Sequence, residues 1–141
     1  MIVLDTNVIS ELWRIEPDSN VLTWIDAQMV ETLYLSTITV AELRFGLAAM
    51  PAGTRRTIYL DRLEREVLPA FSGRVLPFDL GASQAYANLM ARVKMAGRGI
   101  GKADGYIAAT AASRGLMVAT RDVSLFEAAG LTVLNPWRAA R

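Results

Sequence analysis

No cysteine occurs among the 141 residues, which excludes disulfides, thiol nucleophiles and thiolate metal sites. Histidine is absent too, and with it the usual general base and the usual zinc ligand. Hydrolytic chemistry is therefore left to carboxylates, hydroxyls, Lys and Arg, helped by an oxygen-binding ion such as Mg²⁺ or Mn²⁺. No apolar run approaches the ~18 residues that suggest a membrane span. The apolar start Ile2-Val3-Leu4 runs directly into Asp5 with no basic stretch or small-residue cleavage site, so it reads as a first strand and not as a leader. The expected location is the cytoplasm.

What is present describes a folded chain. Hydrophobic residues make up 52% and charged residues 21%, which excludes disorder and suits one domain spanning residues 1–141. The net charge is +1, from 15 basic and 14 acidic residues. If four acids form one site, ten remain against the 15 basic residues, and a basic surface around an acidic pocket suits a nucleic-acid substrate. An ordinary mixed surface explains the same count.

Short apolar runs alternate with helical spacing. Strands are expected at residues 2–4, 33–36, 74–77, 116–120 and 131–134. Helices are expected at 7–13, 18–29, 39–50, 54–71, 81–95, 102–114 and 123–129. Val21, Leu22, Trp24, Ile25 and Met29 recur on one face of the second helix, and Ile58, Leu60, Leu63 and Val67 are the candidate buried positions of the long fourth one. Strands separated by helices need crossovers, which predicts an α/β fold: a mostly parallel sheet between two helical layers.

In such folds ligands sit at the carboxyl ends of the strands. Asp5 and Asp122 each follow a predicted strand, while Glu42 and Asp104 lie in the first turns of helices that follow strands or loops. Each has a local alternative. Glu42 completes the capping-box pattern Thr39-Val40-Ala41-Glu42, Asp104 complements a helix dipole, Asp122 is placed to cap the next helix, and Asp5 suits an Asx turn. Jointly they are better explained as a site, because clustered carboxylates raise each other's pKa values unless a cation joins them. The amide of Asn7 and the hydroxyls of Thr6, Ser36 and Thr120 are candidates for orienting carboxylates or water, beside the commoner role of local backbone bonding.

Four segments carry a family resemblance: Met1-Ile2-Val3-Leu4-Asp5-Thr6-Asn7-Val8-Ile9-Ser10-Glu11, Ser36-Thr37-Ile38-Thr39-Val40-Ala41-Glu42-Leu43-Arg44, Ala103-Asp104-Gly105-Tyr106-Ile107-Ala108-Ala109-Thr110-Ala111 and Val118-Ala119-Thr120-Arg121-Asp122. In order and spacing they resemble PIN-domain toxins of the VapC family, and Leu134-Asn135-Pro136-Trp137 is similar to the FitB-like branch. The resemblance implies a parallel sheet sandwiched by helices and a metal site of Asp5, Glu42, Asp104 and Asp122, supported by Asn7, Thr6 and Thr120. It further implies a Mg²⁺-dependent (or Mn²⁺-dependent) endoribonuclease that is the toxin of a type II toxin–antitoxin pair. Its implied partners are an RNA substrate, a cognate antitoxin, promoter DNA reached only through that antitoxin, and a second copy in a homodimer.

Other features are open. Arg14, Arg44, Arg98 and Arg121 are candidates for phosphate contact, and Lys102 stands two residues before Asp104 either as a cation for the site or as an exposed helix-terminal lysine. Trp13, Trp24 and Met29-Val30 fit either core packing or a groove for a partner helix. Two other functions compete: a regulatory subunit acting through an antitoxin–DNA complex with little cleavage, and a phosphoryl-transfer protein with Asp5 as nucleophile. The latter is weakened because no second aspartate follows two positions on.

Overall fold

The computed structural model describes residues 1–138. Its sheet comprises β1 (Ile2–Leu4), β2 (Leu33–Ser36), β3 (Val75–Leu76), β4 (Met117–Ala119) and β5 (Val133–Leu134), in the order β3-β2-β1-β4-β5. Every pairing is parallel; Val3 lies beside Tyr34 on one side and Val118 on the other. The chain builds outward from β1 through β2 to β3, then returns to lay β4 and β5 on the opposite side. The order thus reverses at β1, the place where a crevice opens at the strands' carboxyl ends.

The helices are α1 (Thr6–Leu12), α2 (Ser19–Asp26), α3 (Thr37–Ala48), α4 (Thr54–Arg62), α5 (Leu68–Ala70), α6 (Leu80–Met95), α7 (Lys102–Ala112) and α8 (Val123–Ala128). Alternation along the strands divides the core in two. Ile2, Leu4, Leu33 and Leu35 pack with Val8, Ile9, Val21, Leu43, Leu47 and Leu63 from the α1–α5 side. Val3 and Val118 pack with Leu89, Val93, Ile107 and Phe126 from α6, α7 and α8. The three-layer parallel architecture expected from the sequence is the one observed. Among the described residues no helix is long and apolar enough to cross a membrane.

Differences from the expectation have local causes. The helix expected at 54–71 is interrupted by a π-helical stretch, Leu63–Val67, in which the Leu68 N–H reaches back to the Leu63 carbonyl. Pro69 follows at once and has no N–H to give the carbonyl four residues before it, so the regular ladder could not continue there. Leu63 lies fully inside the core, whereas Ile58, expected buried, is 47% exposed. Five residues along an α-helix is a net rotation of about 140°, so the two cannot share one face. In α2 only Val21 is buried; Trp24 and Ile25 are half-buried, and Leu22 and Met29 are exposed. That helix stops at Asp26, short of Met29. Trp13 lies against the core with its ring stacked on Tyr59 at 5.8 Å, and Trp24 packs there as well.

Candidate active site

Asp5 ends β1 and opens α1. Its own N–H extends the ladder to the Ala119 carbonyl at 2.9 Å, which fixes the side chain at the crevice between β1 and β4. One carboxylate oxygen accepts the Thr6 N–H at 2.8 Å, and the other accepts the Thr120 hydroxyl at 2.7 Å. The residue is 3% exposed. Burial pushes its pKa from 3.8 up to about 6 against the pull of those two hydrogen bonds, and Asp104 and Asp122 push it further. With both oxygens bonded and the group buried, Asp5 is badly placed for in-line attack as a covalent nucleophile.

Thr120, fully buried, also accepts the Asp122 N–H at 3.0 Å and the Asn7 amide at 3.3 Å. The same Asn7 Nδ2 reaches Asp122 Oδ2 at 3.3 Å. Thr120 therefore ties three of the expected residues together, Asp5, Asn7 and Asp122. Because Nδ2 faces a hydroxyl already donating to Asp5 and a carboxylate, the Asn7 amide has only one sensible orientation. Its Oδ1 is then the one buried side-chain polar atom among the described residues with no partner.

Glu42 is not in a capping box. The α3 N-cap is Ser36, whose hydroxyl accepts the Thr39 N–H at 3.0 Å, so Thr39 is buried inside the helix. Glu42 Oε1 instead accepts the Thr6 hydroxyl at 2.6 Å across to α1. Asp122 occupies the N-cap position of α8 but makes no capping bond there. Asp104, half-buried in the first turn of α7, has its pKa raised by burial first and then by Asp122 and Glu42.

All four carboxylates line one open concavity of about 420 Å³, with Thr6, Asn7, Ser10, Glu11, Arg14, Arg121 and Trp137. Among the described residues no three carboxylates close on a single point as a ready-made cage. An ion held here would take one or two carboxylates directly and keep several waters, which is within the coordination habits of Mg²⁺. The orphaned Asn7 Oδ1 suits it too, as an acceptor for a donor belonging to a hydrated ion.

Glu11, Ser10 and Trp137 were not among the candidate residues read from the sequence. Asn7, Ser10, Glu11 and Arg14 fall at helical spacing, a polar stripe that could have revealed Glu11. Trp137 closes the Leu134-Asn135-Pro136-Trp137 segment of the family resemblance, but nothing local marks it as a site residue, since it reaches the site from the far end of the chain. Of the four candidate arginines, Arg14 and Arg121 line the concavity, whereas Arg44 is committed to Glu64 at 2.9 Å. Arg98 and Lys102 are exposed and outside the lining.

Known proteins resemble this chain over almost its whole length. Residues 2–131 match the PIN domain family model. Over 140 residues the chain is 75% identical to VapC ribonuclease Y4jK of Sinorhizobium fredii, covering 99% of this chain and all of that protein. It is 50% identical over 137 residues to toxin FitB of Neisseria gonorrhoeae, covering 97% and 99%. A solved chain of FitAB bound to an IR36 DNA fragment has the same fold at a TM-score of 0.96 and 46% identity, covering 100% of this chain and 99% of that one.

Proposed function

The chain belongs to the PIN-domain family, among the VapC-type toxins, and from that premise we propose that it is a divalent-metal-dependent endoribonuclease acting as the toxin of a toxin–antitoxin pair. One observation carries the reading. Asp5 is buried with both oxygens held, beside two further aspartates, and its pKa is pushed up to about 6. A fold gains nothing from this uncompensated like charge, and a divalent cation relieves it.

Asp5, Asp104, Asp122 and Glu42 are the carboxylates that would hold a hydrated ion, one or two directly and the others through its waters, with Asn7 Oδ1 accepting from that hydration shell. When bound, such an ion supplies Lewis-acid stabilisation of the scissile phosphate and an activated water for attack. Thr6 and Thr120 keep the Asp5 oxygens in one orientation, so the site needs little reorganisation when substrate arrives. Thr6 also occupies Glu42 Oε1, which leaves Oε2 to take the proton from the attacking water in a chain without histidine. Arg14 and Arg121 at the rim supply the positive charge that a polyanion needs on approach to four acids.

The partners follow the same reading. FitAB is a two-protein assembly bound to DNA; by likeness this chain takes a FitA- or VapB-like antitoxin and meets promoter DNA only through it. Self-association into a homodimer is part of the proposal, and Ile15, Phe45, Leu80 and Met95, 89%, 74%, 87% and 88% exposed, offer apolar surface for contacts. The deciding experiment is cleavage of a mixed RNA pool by the purified chain with Mg²⁺ or Mn²⁺ against EDTA, beside Asp5→Asn. Cuts that require the metal and vanish in the folded variant are expected. Absence of cleavage by the folded wild type with either metal would transfer the function to the antitoxin–DNA complex, whereas unchanged cleavage by folded Asp5→Asn would remove Asp5 from the catalytic site.

A further inference from the structure

Arg14 and Arg121 are the two cations among the described residues that line the acidic concavity, and both stand on one brace. Glu11 is 5% exposed although it is a carboxylate. Its Oε2 accepts the Asp18 N–H at 3.0 Å, and its Oε1 accepts Arg14 Nη1 at 3.3 Å. The Trp137 side chain is near enough to add to the stabilisation of Glu11's charge. Trp137 is pinned in turn: its N–H donates to Asn135 Oδ1 at 2.9 Å, and its carbonyl accepts Asn20 Nδ2 at 2.8 Å. Over its ring, 5.3 Å from the centroid, lies the Arg121 guanidinium.

Both arginines are therefore anchored on the wall of the concavity, Arg14 through Glu11 and Arg121 over the Trp137 ring. Arg14 remains 64% exposed despite its ion pair, and Arg121 is exposed beside Asp122. Each guanidinium therefore has its orientation set from behind while free donors remain in front. A guanidinium held over an indole face keeps donors free for a phosphate oxygen or for the face of an unstacked base. A cation wholly consumed by neutralising the local acids would instead be paired with one of the four; neither arginine is.

We propose that Arg121 and Arg14, carried on the Trp137–Glu11 brace, are the residues that bind phosphates of single-stranded RNA flanking the scissile bond. The brace holds the strand along one wall of the concavity while the carboxylates act on the phosphate between. This inference rests on the ribonuclease reading, and its test is one of binding, which does not require cleavage.

The probe is a fluorescein-labelled single-stranded RNA pool, titrated with full-length protein from low to moderate salt and read by anisotropy. It is run with EDTA, and again with Mg²⁺ in the Asp5→Asn background. Each phosphate contact contributes about 0.7 to the slope of log affinity against log salt for single strands. Arg14→Ala and Arg121→Ala should each flatten the slope by about that much, and the double variant by roughly 1.4. Arg65→Ala, which removes the same charge from an exposed residue paired with Asp61 outside the site, should leave it unchanged. Arg121→Lys should keep the slope but bind more weakly, because charge is retained and the fork of guanidinium donors is lost. With Mg²⁺ and wild-type carboxylates, the alanine variants should raise KM more than they lower kcat. Slopes for Arg14→Ala and Arg121→Ala indistinguishable from that of Arg65→Ala, with the wild type still binding and cutting RNA, would overturn this inference alone. A folded wild type that neither binds nor cuts RNA would overturn the ribonuclease reading beneath it.

Discussion

Two carboxylates a helical turn and a half apart are tuned in opposite directions, and the tuning sets how stability depends on pH. Asp5, buried, is pushed up from 3.8 to about 6. Glu11 is held below its ordinary 4.5, chiefly by the Asp18 N–H it accepts and then by Arg14. For Asp5 the folded state binds the proton more tightly than the unfolded state. Its contribution to stability is therefore full below about 4 and is lost as pH rises through about 6. The interval corresponds to on the order of 3 kcal/mol. For Glu11 the sign reverses, with stability present above 4.5 and lost as pH falls through its lowered folded value. Urea denaturation of the metal-free protein is accordingly expected to show greatest stability near pH 4 to 5. Asp5→Asn should flatten the loss toward pH 7, and Glu11→Gln should flatten the loss below pH 4. A wild type that gains stability steadily from pH 4 to 7 without metal would contradict the assignment to Asp5.

At the scale of elements, Leu63 and Ile58 show how far a list of apolar positions overstates the buried face of a helix. Both were candidate buried positions on one long helix, yet Leu63 is fully buried while Ile58 is 47% exposed, as the ~140° between positions five apart requires. Leu63→Ala should cost about 2–5 kcal/mol by leaving a cavity in the core. Ile58→Ala should change stability by no more than about 0.5 kcal/mol. Chemical denaturation of the two variants checks this, and equal costs would contradict the different burial of the two side chains. Strand positions and their parallel pairing were legible because buried strands are short apolar runs that must be joined by crossovers. Helix ends were less so. The Thr39–Glu42 pattern imitated a capping box, and only the Ser36 cap and the contact from Thr6, 36 residues away in sequence, distinguish the two.

At the scale of the whole molecule, the reversal of strand order at β1 gathers residues from opposite ends of the chain. Asp5, Glu42, Asp104 and Asp122 were readable as candidates because each sits where a strand or a glycine-rich loop gives way to a helix. The brace of Glu11 and Trp137 was not, since a buried acid and a half-buried indole acquire meaning only through contact. The cost of the gathering is mutual repulsion, and it yields a last prediction. An ion that binds the folded site and not the unfolded chain stabilises by mass action, and it competes with protons for the same carboxylates. Millimolar Mg²⁺ or Mn²⁺ should therefore raise the melting temperature at pH 8, where Asp5 is ionised, and lose that effect near pH 5, where its raised pKa leaves it mostly protonated. Asp5→Asn should remove most of the gain at pH 8, while Leu63→Ala, destabilised elsewhere, should keep it. EDTA should return the wild type to its metal-free melting point without unfolding it, because the two cores on either side of the sheet are closed without an ion. Differential scanning calorimetry across that pH range reads all of these at once. A metal-induced shift as large at pH 5 as at pH 8, or one unaltered by Asp5→Asn, would place the cation away from the β1–β4 crevice.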